Sequence, residues 1–317
     1  MLKNILKTCF LFSLTLIIVV SFNNPSFASS KNDIKIKANI MTMIKKLQTA
    51  SNNHDIDTVA SFYSENYLSG DNFDKEQVLK LIKDTWQTYP DIKYTSEIKF
   101  VRFSDSWASI ESYDETNGTT GKISEITNDK GDMNSESHSV IYLRKIGKDW
   151  KIVGDLTYFE TATVKFGTAK TLNIKFSSPG QVKAGEMYSA KILTEVPVGA
   201  FTVGSITQEP LIYPGIRPKE KFRTINQNQG NLERVFESNE NNLNEVVTAT
   251  VGITELTEDN QARPTVQLKG LCIIGNRINV IPHSTFDRED YIITNKESLD
   301  PAITATSIYK KINIEEK

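Results

Sequence analysis

Cysteine and histidine are scarce in this chain, and neither sign of charge is in useful excess. Two cysteines occur in 317 residues. Cys9 lies in an apolar N-terminal run and Cys272 stands between Leu271 and Ile273. Once that run is removed, no internal disulfide can form, so stability must come from a packed core. The three histidines, His54, His138 and His283, are isolated from one another and from any second ligand type at helix or strand spacing. A zinc or iron site needs several converging donors, so no metal is expected. Residues 31–166 hold 18 basic against 21 acidic side chains, and residues 167–317 hold 17 against 18. Neither half offers the basic surface that phosphate backbones or anionic lipids attract, which excludes nucleic acid as a partner. Catalytic signatures are missing too: there is no Gly-x-Ser-x-Gly, no Cys–His partnership and no glycine-rich dinucleotide turn. Gly118-Thr-Thr-Gly121-Lys122 has the wrong spacing for a phosphate loop, and residues 128–132 lack the alternating acids of a calcium loop. No cofactor is expected.

Long hydrophobic runs are also absent. The longest apolar stretch, residues 9–22, is 14 residues, short of the roughly 20 that span a bilayer. Lys3 and Lys7 precede it and Ser26-Phe27-Ala28 follows it, the three-part pattern of a secretory signal peptide cut after Ala28. An uncleaved anchor is the alternative. The expected location is therefore secreted, periplasmic or in the cell envelope, with nothing spanning the membrane after cleavage. The remaining chain exceeds a usual single core, so two domains are expected.

After a polar leader at 29–35, apolar residues recur at helical spacing. Ile36, Ile40, Met43, Ile44 and Leu47 form one stripe. Asp55 is placed to cap a second helix carrying Ile56, Val59, Ala60 and Tyr63, and Asp74 with Gln77 forms a capping-box variant opening a third with Val78, Leu79, Ile82 and Trp86. From Tyr94 the period becomes two. Strands are expected around 98–103, 107–113, 138–146 and 150–164, with a tight turn at Asn117-Gly118 and a loop over 127–137. Three helices followed by meandering strands is an α+β order, with helices on one face of a curved antiparallel sheet.

Residues 56–67 (Ile-Asp-Thr-Val-Ala-Ser-Phe-Tyr-Ser-Glu-Asn-Tyr) and the closing hairpin at 140–155, with Gly147-Lys148-Asp149-Trp150 at its turn, resemble the NTF2-like (SnoaL-like) superfamily over residues 36–166. The resemblance implies a cone-shaped α+β domain whose cavity some members use as an active site, and a sheet face through which such domains commonly form homodimers.

Past a short joint at 165–170, helical periodicity disappears. Short strands separated by proline-, glycine- and asparagine-rich turns argue for an all-β sandwich over 171–281, and Val182 to Tyr188 resembles the opening of bacterial immunoglobulin-like modules. The role of the C-terminal segment, 282–317, stays open.

The candidate pocket-lining residues are Tyr63, Trp86, Trp107, Glu111, Tyr113, His138, Tyr142 and Asp155. A carboxylate or imidazole desolvated beside aromatic walls could hold a tuned pKa near an apolar ligand. Asp155 has the strand parity opposite to Trp150, and which sheet face is concave is not set by parity alone. No catalytic residue is singled out. The favoured expectation is an exported, non-catalytic binding or accessory protein. Its NTF2-like module would recognise a small apolar ligand or an envelope or extracellular protein, with the sandwich as spacer or docking domain. The alternative is a cofactor-independent isomerase, dehydratase or hydrolase using the cavity.

Overall fold

The computed structural model describes residues 31–195, 200–215, 218–225, 230–258 and 263–282. The expected signal peptide and the segment from 283 onward, His283 included, lie outside the described residues. Helix α1 (Lys31–Asn52) buries Ile36, Ile40, Met43, Ile44 and Leu47, the stripe legible in the sequence. It starts at Lys31, so the expected leader is helical from that residue on. Asp55 caps α2 (Ile56–Phe62) by accepting the Thr58 N–H. At α3 (Lys75–Thr88), the Asp74 side chain accepts the Gln77 N–H while the Gln77 side chain accepts the Asp74 N–H, two otherwise orphaned donors satisfied reciprocally.

Strands β1 (Lys93–Phe103), β2 (Trp107–Thr119), β3 (Asp132–Ile146) and β4 (Asp149–Gly167) form an antiparallel meander. The tight turn expected at Asn117-Gly118 is not there: Asn117 pairs with Asn134 and Gly118 with Met133 as β2 continues. A Cβ on Gly118 would sit 3.1 Å from the Ile92 Cα, so this glycine permits a close approach rather than a reversal. The chain turns instead between Thr119 and Asp132, and the polar residues 132–137, expected as loop, are strand. Their alternation of serines with charged and amide residues hid the period-two signal from a hydrophobic reading.

The three helices cover one face of this meander. Ile40, Leu47 and Ile82 meet Ile110, Leu143, Ile152 and Val164 in one hydrophobic cluster. Two bulges interrupt the β3–β4 ladder, between His138 and Ser139 and between Tyr142 and Leu143.

Among the described residues, a 3-10 turn, Thr168–Thr171, leads into strands only: β5 (Ile174–Ser177), β6 (Gln181–Lys183), β7 (Met187–Thr194), β8 (Ala200–Pro210), β9 (Arg223–Ile225), β10 (Asn231–Glu237), β11 (Glu245–Glu258) and β12 (Pro264–Ile281). β9 and β10 went unread in the sequence. One is too short to show a period, and the other carries three charges in seven residues.

A nine-stranded sheet runs β1-β2-β3-β4-β12-β11-β8-β9, with β6 parallel to β12, beside a three-stranded sheet β10-β7-β5. The last strand among the described residues thus pairs with the last strand of the meander, from Gly270 opposite Gly167 to Asn276 opposite Thr161. Residues 245–254 of β11 are buried on both faces, as befits a central strand rich in valine, threonine, alanine and isoleucine. A second hydrophobic cluster joins Tyr188, Ala190 and Ile192 of β7 and Phe236 of β10 to Ile206, Val247, Val251, Cys272 and Ile274. Cys272 is a free thiol with no exposed surface, and burial pushes its pKa up to about 12, which leaves it inert. Among the described residues no helix is long and apolar enough to cross a membrane.

Candidate functional site

Register places the polar side chains of the meander in rows across the strands. On the helix-covered face, Ser96 lies opposite Asp114, Asp114 opposite Ser137, and Ser137 opposite Glu160. The β4–β12 ladder ends at Asn276 opposite Thr161, the residues that adjoin Arg277 and Glu160 in sequence. All five side chains are buried. Asp114 accepts hydrogen bonds from the hydroxyls of Ser96, Ser112 (3.1 Å) and Ser139 (3.2 Å). Arg277 forks onto Asp71, in the turn between α2 and α3, at 2.6 and 2.9 Å, and Asn244 donates to the same carboxylate at 2.7 Å. The Glu160 Oε1 is buried without a hydrogen-bond partner.

Tyr67 donates its hydroxyl to Asp155 at 2.5 Å, and Tyr63 meets Tyr67 edge-on at 4.9 Å. Burial pushes the Asp155 carboxyl up against the pull of that hydrogen bond. The same cause pushes Glu160 well above the usual carboxylate range, with Arg277 opposing. Both sites favour the neutral acid. Burial, reinforced by Asp155, also holds the Tyr63 and Tyr67 phenols neutral. Farther along the same face, the Trp86 indole N–H donates to the Tyr94 hydroxyl at 3.0 Å and His54 stacks on Trp86 at 4.8 Å.

The outer face of the same strands is different in kind. His138 Nε2 lies 3.0 Å from Glu111 Oε1, and Arg102 reaches the other oxygen of Glu111 at 3.4 Å. Tyr113 stacks on His138 at 4.2 Å, with Tyr158 tilted against it at 5.1 Å. Arg144 covers Trp107 at 5.2 Å. Phe100, Trp107, Tyr113, Tyr142, Tyr158 and Phe159 are all exposed on this side, from 38% for Tyr142 to 53% for Phe100.

The single pocket wall expected from the sequence therefore splits in two. Tyr63, Trp86 and Asp155 belong to the helix-covered face. Trp107, Glu111, Tyr113, His138 and Tyr142 share the outer one. Asp155 also departs from its expected parity: the bulge after Ile152 turns it to the same side as Trp150, since Ile152 pairs with Leu143 and Asp155 with Ile141. Sequence reasoning missed Tyr67, Asp71, Asp114, Glu160 and Arg277. Arg277 carried a readable signal, the single charge in the apolar second half of β12 after Lys269. Glu160 did not, because the bulges of the β3–β4 ladder decide which way it points, whereas Asp114 keeps the parity of Ala108 and Ile110 along the unbroken β2.

Among the described residues no group of three or more histidine, cysteine and carboxylate side chains could hold a metal ion. Asp129 and Asp132, in the stretch that superficially suggested a calcium loop, are bridged by the Lys170 ammonium at 2.9 and 3.0 Å.

No family model and no curated protein matches the chain. Solved structures similar to it include Bd1075 of Bdellovibrio bacteriovorus, at 16% identity and a TM-score of 0.34, over 43% of this chain and 45% of that one. An NTF2-like protein of Cytophaga hutchinsonii matches at 14% identity and a TM-score of 0.30, over 40% of this chain and 97% of its own. A nuclear transport factor 2 (NTF2-like) superfamily protein of Salmonella enterica matches at 10% and 0.32, over 39% and 90%. The chain spans less than half the length of the Bdellovibrio protein. The likeness to NTF2-like proteins takes in about two fifths of the chain.

Proposed function

We propose that this chain is an exported, non-catalytic binding or accessory protein that recognises its partner through the outer face of β1–β4. The observation that carries this reading is the exposed band of Phe100, Trp107, Tyr113, Tyr142, Tyr158 and Phe159. Exposed aromatic patches of this kind mark interaction surfaces, and aromatic side chains supply most of the anchors at protein interfaces. The helix-covered face favours the same conclusion, because Asp71, Asp114 and Asp155 already have partners within the chain. The partner is an envelope or extracellular protein or a second copy of this chain. The all-β half, with an immunoglobulin-like sandwich as its finer description, serves as spacer or docking domain.

A photo-crosslinking residue at Tyr142, in the full chain recovered from the exported fraction, tests this. Crosslinks to one defined protein or to a second copy, lost with Trp107→Ala, are the expected result. Crosslinks absent, or unchanged in the variant, would sink the reading.

A second reading rests on Asp155, a carboxyl pushed up by burial beside the Tyr67 hydroxyl. A carboxyl whose hold on its proton is strengthened by burial is what a cofactor-independent isomerase, dehydratase or hydrolase would use for proton transfer. Native mass spectrometry of the exported protein decides for it if a small molecule travels with the chain and is lost on Trp86→Ala.

A further inference from the structure

The first bulge of the β3–β4 ladder is made on the β4 side. His138 pairs with Phe159 and Ser139 with Thr157, so Tyr158 is the extra residue. A bulge sets two residues of one strand against one of the other and leaves the extra one outside the ladder. That is why Tyr158 and Phe159, neighbours in sequence, both reach the outer face, each 44% exposed. The Tyr158 ring tilts against His138 at 5.1 Å. Its carbonyl accepts the Asn279 side-chain N–H at 2.7 Å.

Asn279 makes that bond from a strand that has already left β4. The β4–β12 ladder ends at Asn276. β12 runs on beside β6, with Asn279 opposite Gln181 and its backbone N–H on the Gly180 carbonyl at 3.0 Å. The Asn279 side chain bridges back to β4, and its orientation is set from behind. Arg277 Nε donates to Asn279 Oδ1 at 2.8 Å. A guanidinium has donors only, so the amide turns its oxygen to Arg277 and its nitrogen to Tyr158. Arg277 is held in turn by Asp71, at 2.6 and 2.9 Å. Asp71 also accepts the Asn244 amide at 2.7 Å, and the Asn244 oxygen accepts the Val280 N–H at 3.0 Å.

We propose that Asn279 is a positioning residue of the recognition face: with Arg277 and Asp71 behind it, it sets the bulged Tyr158 against His138 and so fixes the rings that the partner meets. The inference rests on the outer face being the recognition surface. It goes further by placing control of that surface in the buried Asp71–Arg277 pair. Tyr158 has no partner in the β3–β4 register to hold it, so losing the Asn279 bond lets its peptide turn and carries the ring off His138.

The imidazole proton signals of His138 in the free full-length chain, at one fixed alkaline pH and assigned with His138→Gln, read the Tyr158 ring. An aromatic ring shifts the resonance of a proton beside it, and Tyr158→Leu sets the full displacement. Asn279→Asp keeps an acceptor for Arg277 and deletes the donor to Tyr158, and should produce at least half of that displacement. Arg277→Lys keeps a cation for Asp71 but lacks the Nε donor, and should move the signal the same way. Asn276→Ala removes a neighbouring tie between the strands, the bond from the Thr161 hydroxyl at 2.8 Å, and should leave the signal in place. An unmoved signal in Asn279→Asp or Arg277→Lys would overturn the proposal. So would an equal displacement in Asn276→Ala, which would make the effect a general loosening of β4 against β12. If Asn279→Asp fails to fold, Asn279→Ala takes its place with the same expected result. Crosslinking from Tyr142 is the second readout, and its yield should fall roughly threefold or more in Asn279→Asp. A displaced signal with undiminished crosslinking would count against control of recognition. Crosslinks absent from the wild type would sink the outer-face reading instead, while the His138 signal still decides whether Asn279 positions Tyr158.

Discussion

The two faces of β1–β4 both carry polar and aromatic residues and use them in opposite ways. On the helix-covered face, Asp114, Glu160 and Arg277 are buried, and each charge is held by serine hydroxyls, by an opposite charge or by neutralisation. On the outer face, half-buried Glu111 and His138 pair with each other and with exposed Arg102, and Arg144 covers Trp107, among exposed rings. Burial, rather than residue type, sets what a charge is worth here. The same guanidinium contributes little at Arg102 and is indispensable at Arg277.

That contrast is broken most severely at Arg277. Arg277→Ala leaves Asp71 buried without its counterion, and breaking a buried pair from one side costs about 3–5 kcal/mol. Arg102→Ala, on an exposed pair, should cost about 1 kcal/mol or less. Urea denaturation midpoints of the two variants check this, and equal costs would erase the distinction between the faces. Next in size is a packing comparison. Ile152→Ala empties a site that is 1% exposed, at about 2–5 kcal/mol, whereas Tyr142→Ala should stay within about 0.5 kcal/mol.

The pH response sharpens the contrast further. Asp155 and Glu160 are both raised by burial, so between the ordinary carboxylate range and their folded values the native chain keeps protons the unfolded chain has released. Stability from these groups is present at low pH and falls as pH rises through that window. Asp155→Asn and Glu160→Gln should flatten the decline in thermal midpoint, while Glu111→Gln should not. The smallest effect belongs to the His138–Glu111 pair. A double-mutant cycle there should give a coupling of about 1 kcal/mol or less.

Much of the helical layer was legible in advance. The stripe from Ile36 to Leu47 and the caps at Asp55 and Asp74 are local signals, and each acts within one or two turns of chain. The turn at Asn117-Gly118 misled because a dipeptide that favours a reversal also serves where a neighbouring backbone, here at Ile92, comes close. Of the candidate site residues, the aromatic and acidic members were found as a set, but their division between the faces was out of reach. A bulge shifts every later side chain to the other side, and a bulge is a property of two strands rather than one.

The sequence by itself determined the order of helices before strands, the caps at Asp55 and Asp74 and the apolar, unreactive setting of Cys272. These depend on composition and on neighbours a few residues away. Only the tertiary structure decided that Glu160 and Asp155 face inward, that β12 joins the sheet of β1–β4, and that Arg277 answers Asp71 across 206 residues. Such pairings depend on register and strand order, which long-range packing sets and local propensity does not encode.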